Sequence, residues 1–309
     1  MRNILIIGGT GFIGGHLVEA LQNSGYQVAV LVRKDSKIEF LRSLGVELRL
    51  ADIEDLDSLK EALVGIDTVF SAVNVKPEAK SKAEYEQELL KLHRQGTENL
   101  ITASEVNRIK RLIYFSSVSA IGYQPDLSHY DEGSRCNPVD AYGRAKLAAE
   151  DILNQAVKDK RLDITILRPP GVFGERGLGP LAKIIFFIKK GVIPVISAGK
   201  NKQSFAYVGN LVNQAIFLAE NQGAIGKTYI TSDKNPYTVN ELVDTVSKLM
   251  AKRVIKMRIP AWLIMKAAKL FNQENIIAIG GQRIFDSRKI FALGYKEKYN
   301  LEVGIRRTL

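Results

Sequence analysis

Of the eleven tyrosines in the chain, Tyr142 alone has a lysine four positions on, in the run Asp140-Ala141-Tyr142-Gly143-Arg144-Ala145-Lys146. On a helix, residues four apart share a face, so a phenol and an ammonium are expected side by side. A phenol of ordinary pKa, about 10, is a poor proton carrier at neutral pH, but a nearby ammonium lowers such a pKa by about 1–3 units. The pair therefore suits acid–base work at a carbinol or carbonyl oxygen, with Lys146 holding the Tyr142 pKa down. Ser116 and Ser117 end the apolar run 112–115. A hydroxyl at the carboxyl end of a sheet strand faces the crevice where open α/β sheets bind ligands, so Ser117 is expected to orient the carbonyl. Alone, a tyrosine-x-x-x-lysine is also what an ordinary helix face carries; its weight comes from what precedes it.

What precedes it is Gly8-Gly9-Thr10-Gly11-Phe12-Ile13-Gly14, directly after an apolar run and opening an amphipathic one. In a strand-turn-helix setting, Gly8 permits a tight turn, Gly11 lets backbone approach a pyrophosphate, and Gly14 lets helix pack on strand. The helix start at Phe12 and Ile13 offers unpaired N–H groups and positive potential to an anion. The cofactor expected here is therefore a nicotinamide dinucleotide. An NAD site would carry Asp or Glu at the end of the next strand; this chain reads Val32-Arg33-Lys34. Arg33 suits a 2′-phosphate and points to NADP(H), while the nearby Asp35 keeps NAD(H) open. Asp52 and Ile53, after the third strand, are expected at the adenine, with Ala72, at the end of the fourth strand, lining the same site. Asp52 could equally cap a turn or helix.

These residues need a frame, and the chain supplies an alternation. Apolar runs at 3–7, 27–32, 47–51, 68–72, 111–116 and 163–167 read as strands, with helical patterns at 12–23, 56–63, 83–107 and 141–157 between them. Such alternation predicts a Rossmann-type, doubly wound parallel α/β sheet. After Arg168 the pattern loosens into turns rich in Gly and Pro, a basic apolar helix at 180–190, and a Thr238/Glu241 capping box opening a helix to about Met250. The expected organisation is a dinucleotide-binding domain over 1–168 and a smaller substrate-binding region over 169–309, partly interleaved with it.

The 309 residues suffice for this, and 46% hydrophobic with 25% charged residues is ordinary globular composition. No run approaches the length of a membrane span and no leader is apparent, so the chain is expected to be cytoplasmic. One cysteine, Cys136, excludes an internal disulfide framework, and the three histidines, scattered at His16, His93 and His129, show no metal-ligand spacing. The formal charge of +11 is read as a solvated surface serving an anionic cofactor and substrate, without nucleic acid as a partner.

In the order of these motifs the chain resembles the extended short-chain dehydrogenase/reductase family, also called the NAD-dependent epimerase/dehydratase family. The resemblance runs through 7–14, 96–100, 115–118, Asn137-Pro138 before Tyr142 to Lys146, 167–174 (Leu-Arg-Pro-Pro-Gly-Val-Phe-Gly) and the tail at 293–295 and 301–305. It implies that Ser117, Tyr142 and Lys146 form a catalytic triad, that Tyr142 and Lys146 also bind the cofactor, Lys146 at the nicotinamide ribose, and that Pro169 lies near the nicotinamide. The implied activity is NAD(P)-dependent oxidoreduction or epimerisation of a carbinol/ketone. A nucleotide-sugar 4-keto reductase comes first. A nucleotide-sugar 4-epimerase, a hydroxysteroid or flavonoid-type ketone reductase, and a non-enzymatic NADP(H)-binding sensor are the alternatives. Three departures stand out: His93 in place of a common asparagine, Tyr207-Val208-Gly209-Asn210 in place of Tyr-Val-Asp-Asp, and Gln203 in place of an arginine used on nucleotide-sugar phosphates. Arg176, Lys200 or Arg283 are the cations that would substitute for that arginine. The helices at 83–107 and 141–157 are expected to pair in a homodimer, and the basic amphipathic stretch at 260–271 reads either as a lid or core helix or as a membrane-surface contact.

Overall fold

Strands buried on both faces need apolar residues at every position, and the chain supplies them in short β-branched runs. The computed structural model describes residues 1–74, 77–124, 127–260 and 282–309. Strands β1 (Asn3–Ile7), β2 (Gln27–Val32), β3 (Glu47–Leu50), β4 (Thr68–Ser71), β5 (Arg111–Phe115), β7 (Ile164–Arg168) and β12 (Lys227–Ile230) form a seven-stranded sheet in the order β12-β7-β5-β4-β1-β2-β3. The pairings from β3 through β2, β1, β4 and β5 to β7 are all parallel. The order reverses at β1: β2 and β3 extend one way, β4, β5 and β7 the other. Such a switch point opens a crevice beyond the carboxyl ends of β1 and β4.

Helices α1 (Phe12–Asn23), α2 (Glu39–Ser43), α3 (Leu56–Ala62), α4 (Lys82–Val106) and α5 (Ala141–Lys158) connect these strands. Their starts follow the usual capping chemistry: the side chains of Asp55, Ser81 and Asp140 accept from backbone N–H groups of the first turns of α3, α4 and α5. Leu5, Ile7, Leu31, Val69, Leu112 and Ile166 from the sheet pack with Leu59 of α3, Leu100 and Ala103 of α4, and Leu153 of α5. This core fixes α4 and α5, and with them the Tyr142 and Lys146 positions.

The chain divides into two units, the first comprising Met1–Gly122, Arg135–Arg168 and Val212–Tyr229, the second Tyr123–Ser134, Pro169–Leu211 and Ile230–Leu309. The passage at 168/169 is thus one of several crossings. In the second unit, β8 (Gly171–Phe173) pairs with β11 (Phe205–Tyr207), β9 (Val192–Ile196) with β14 (Ile255–Ile259), β10 (Lys202–Gln203) with β13 (Tyr237–Thr238), and β6 (His129–Tyr130) with β15 (Ile284–Phe285). Helix α6 (Leu181–Lys190) is the basic apolar helix, and α8 (Val239–Leu249) starts with the expected Thr238/Glu241 capping box. The stretch at 260–271 lies outside the described residues beyond Pro260. Among the described residues no helix is long and apolar enough to cross a membrane.

Candidate active site

The turn after β1 works only with glycine. Gly8 has φ +87°, and a Cβ there would stand 2.7 Å from the Ala72 carbonyl oxygen; at Gly14 it would stand 2.1 Å from the Gly8 oxygen. The missing side chains let β1, β4 and α1 close to backbone contact and leave an open cradle above. No side chain caps α1, and its first turn carries no acidic residue. Its leading N–H groups therefore retain their capacity and positive potential for an anion. The cradle is the floor of a cavity of about 460 Å³ whose wall brings together Gly8, Thr10, Gly11, Phe12, Ile13, Gly14, Arg33, Asp52, Ile53 and Ala72. Ten residues expected from sequence to face one cofactor thus line one space, and the other three, Tyr142, Lys146 and Pro169, are not in its lining.

The same wall includes Ser36, Glu54, Val73 and Asn74, which sequence reasoning missed. Ser36 matters because its hydroxyl accepts from the Arg33 N–H at 2.8 Å, tying the turn that aims Arg33 at the cavity. Asn99 was in view only as part of a motif. Its Nδ2 donates to the carbonyls of Ile53 and Glu54 at 3.0 and 2.9 Å and so holds the Asp52–Glu54 loop in place. Arg33 is 55% exposed and lies 3.6 Å from Asp35. No carboxylate ends β2, but Asp52 and Glu54 share the cavity, and Glu54 is raised by burial and then by Asp52.

The three expected catalytic residues lie within reach of one another. Ser117 caps a short 3₁₀ turn at Val118–Ala120 beyond β5, its Oγ accepting from Ser119 N–H at 3.1 Å. Tyr142 is within hydrogen-bonding reach of the Ser117 hydroxyl. Lys146 is fully enclosed, and its Nζ donates to the carbonyls of Val73 (3.0 Å) and Phe115 (2.9 Å) while lying 5.8 Å from the Tyr142 ring centre. Val73 is itself part of the cavity wall, so the lysine is anchored at this cavity. Pro169 is buried at the start of the second unit.

The electrostatics differ from the sequence expectation. Burial, followed by the Asp140 charge, pushes the Tyr142 phenol up to about 12, with Ser117 acting in the opposite direction. Burial also pushes Lys146 down to about 7, with Glu150 opposing. Burial decides the state of the phenol here, while the Lys146 ammonium is turned to two backbone carbonyls.

Underneath lies a buried ion pair that spacing alone did not reveal. Glu150, one turn beyond Lys146 on α5, is 0% exposed and meets Arg168 at the end of β7. Its carboxylate also accepts from the Ser116 hydroxyl. The ends of β5 and β7 are thereby tied to the helix that carries Tyr142 and Lys146.

His93 of α4 is 4% exposed, and its Nε2 has no hydrogen-bond partner among the described residues. Burial, then the charge of Lys146, pushes it down to about 3. An unfolded histidine titrates near 6.5, so as pH falls the unfolded chain takes the proton first. The stability present above that value is lost as pH falls toward the folded pKa. Between pH 7 and pH 5 the wild type is expected to lose about 2 kcal/mol more than His93→Gln, measured by denaturant unfolding at both pH values.

The remaining departures are settled by packing. A Cβ at Gly209 would stand 2.5 Å from the Tyr207 ring and 3.0 Å from that of Tyr299, so no acidic side chain fits there. Asn210 instead donates to the buried Asp233 at 2.9 Å. Of the three cations considered near Gln203, Arg176 and Lys200 are exposed, whereas Arg283 bridges Gln203 through its backbone and lays its guanidinium 5.7 Å from the Tyr123 ring centre.

The family model of the NAD dependent epimerase/dehydratase family matches residues 4–230. An N-acetylglucosaminyl-diphospho-undecaprenol 4-epimerase of Escherichia coli O157:H7 is 30% identical, covering 99% of this chain and 94% of that protein. A UDP-glucose 4-epimerase of Vibrio cholerae is 26% identical over 99% of this chain and 94% of its own length. Among solved structures, the Thermotoga maritima UDP-glucose 4-epimerase with UDP-glucose superposes with a TM-score of 0.77 at 24% identity, covering 99% and 97% of the two chains. The chain belongs to the NAD-dependent epimerase/dehydratase family and is an enzyme of the extended short-chain dehydrogenase/reductase type.

Proposed function

We propose that this enzyme epimerises, at C4, a sugar carried on a diphosphate, with Ser117, Tyr142 and Lys146 as its catalytic residues. The observation that supports the reading is the hydrogen bond from Lys146, beside Tyr142, to Val73 of the glycine-floored cavity wall. Further support comes from the relatives, both of which are named as 4-epimerases of glycosyl diphosphates. Arg283, beside Gln203, is the cation we assign to the diphosphate. The cradle, the uncapped α1 and the cavity volume fit a nicotinamide dinucleotide, with the pyrophosphate at α1 and the adenine end at Asp52 and Ile53. When bound, that cofactor supplies reversible hydride exchange with the sugar carbon.

Tyr142 takes the proton of the sugar 4-hydroxyl as the ketone forms and returns it when the opposite face is reduced. Ser117 donates a hydrogen bond to the same oxygen and steadies its developing charge. Lys146 holds its two carbonyl acceptors, and so the wall, in register, and it gives the phenolate a positive neighbour when protonated. Pro169 closes the nicotinamide side, and the enzyme works as a homodimer through α4 and α5. With UDP-glucose or N-acetylglucosaminyl-diphospho-undecaprenol, the expected result is interconversion of the C4 epimers with no net change in reduced-nicotinamide absorbance.

A second reading, 4-keto reduction drawing on NADP(H), is favoured by Arg33 at the cavity wall. Stoichiometric NADPH consumption by a 4-keto sugar, without epimer exchange, would replace the first reading by the second. Charge-assisted hydrogen bonds of this kind are worth about 1.5–3 kcal/mol. Arg33→Asp is accordingly expected to shift the NADP/NAD ratio of dissociation constants toward NAD by about 10- to 100-fold, read by fluorescence titration; an unchanged ratio would make Arg33 a surface cation.

A further inference from the structure

Strands β9 and β14 run parallel with Val192 opposite Ile255, Pro194 opposite Met257 and Ile196 opposite Ile259. Because side chains alternate and parallel partners point the same way, these six share one face. The opposite face carries Ile193 and Val195, which are buried with Val243, Ile184 and Phe187. The first face is the one left open: Ile255 is 70%, Met257 52% and Val192 39% exposed. It is wholly apolar, and isolated exposed apolar residues are ordinary where a contiguous set is not.

The charge within the two segments that carry this ribbon has one sign. Residues 181–203 contain Lys183, Lys189, Lys190, Lys200 and Lys202, residues 245–260 contain Lys248, Lys252, Arg253, Lys256 and Arg258, and neither segment has an Asp or Glu. Lys189 and Lys190 stand just before β9, Lys252 and Arg253 just before β14, so all four gather at one end of the apolar face. Lys200 and Lys202 follow β9 at the other end. Among the described residues two of the ten pair with acids, Lys248 with Glu302 and Lys256 with Asp244. Net charge alone therefore does not show this local concentration, which folding makes.

We infer that the open face of the β9–β14 ribbon docks on an anionic phospholipid bilayer, Ile255 and Met257 entering the acyl boundary while the flanking lysines and Arg253 meet the phosphates. An apolar strip rimmed by cations is the complement of a surface with phosphate above hydrocarbon. A second copy of the chain is a poor occupant, since it would bring its own Lys189, Lys190, Lys200, Lys202, Lys252 and Arg253 against these. Nucleic acid would leave the apolar strip uncovered. The inference stands apart from the catalytic reading and needs no particular substrate.

The test is sedimentation of the full chain with phosphatidylglycerol/phosphatidylcholine vesicles and with phosphatidylcholine vesicles alone, at low and high salt. Binding is expected only to the anionic vesicles, weakening with salt. Lys189→Glu/Lys190→Glu and, separately, Ile255→Ser/Met257→Ser are each expected to lower the partition at least about tenfold. Both sets are exposed, and the circular dichroism and dinucleotide binding of the variants should match the wild type. Failure to bind anionic vesicles, or binding that neither variant changes, would overturn the inference. So would a wild-type dimer that Ile255→Ser/Met257→Ser dissociates, because the face would then be covered by a second copy. None of these outcomes bears on C4 epimerisation of UDP-glucose in solution, so the two readings fail separately.

Discussion

Tyr142→Phe is expected to reduce kcat by about 10²–10⁴-fold, the usual contribution of a positioned acid–base group, while the dinucleotide still binds. The split follows from the geometry. The phenol does not line the dinucleotide cavity, and the glycine cradle and uncapped α1 are untouched by the change. The substitution removes one oxygen and leaves the ring beside Lys146. Steady-state turnover together with direct titration of the cofactor makes the check. A variant with near-normal kcat would remove Tyr142 from the chemistry, and one that failed to bind cofactor would show that the hydroxyl has a structural role. Ser117→Ala should cost less, since it removes a hydrogen bond to the oxygen and not the proton carrier.

The second large effect is on stability. Glu150→Ala is expected to cost about 3–5 kcal/mol in denaturant unfolding, because Arg168 would be left charged and buried without its partner. Arg168 Nε lies 3.0 and 3.2 Å from the two carboxylate oxygens, and Nη2 completes the fork. Its Nη1 has no partner among the described residues, so the guanidinium has little to fall back on. The double change Glu150→Leu/Arg168→Met removes both charges at similar bulk and should recover much of the loss. If Glu150→Ala cost less than about 1 kcal/mol, the pair would be no more than a well-solvated bridge. Activity should also fall, since the same carboxylate accepts from Ser116 and steadies the strand end that presents Ser117.

Much of this was legible in the chain. The six parallel strands and four of the five connecting helices follow from alternation of apolar runs with amphipathic ones, and their ends agree to within a residue or two; the short α2 gave no such signal. The glycine-floored cavity was legible because glycines must stand where backbones meet. The parts that were not legible depend on distance in sequence. β12 joins the sheet as a seventh strand, although nothing in residues 227–230 marks them as belonging with β7. The Glu150–Arg168 pair is hidden because it joins two elements and is masked by the catalytic pattern four residues earlier. The state of Tyr142 was misjudged because spacing shows that an ammonium is near but says nothing of how deeply both groups are buried. The cationic collar of the β9–β14 ribbon likewise exists only once residues 181–203 and 245–260 are brought together.

The late arrival of β12 sets an order of events during synthesis. Six strands leave the ribosome first, then residues 169–226, and only then the strand that covers β7. At about 5–20 residues per second, the interval is about 3–12 s. For that time the row of peptide groups along Ile164–Arg168 faces outward with no strand beside it, in a segment that is otherwise entirely apolar save Thr165 and Arg168. Such an edge recruits any neighbouring nascent chain. A polypeptide halted before Lys227 would keep it permanently, which makes premature termination in this stretch a route to insoluble product and not to a smaller working enzyme.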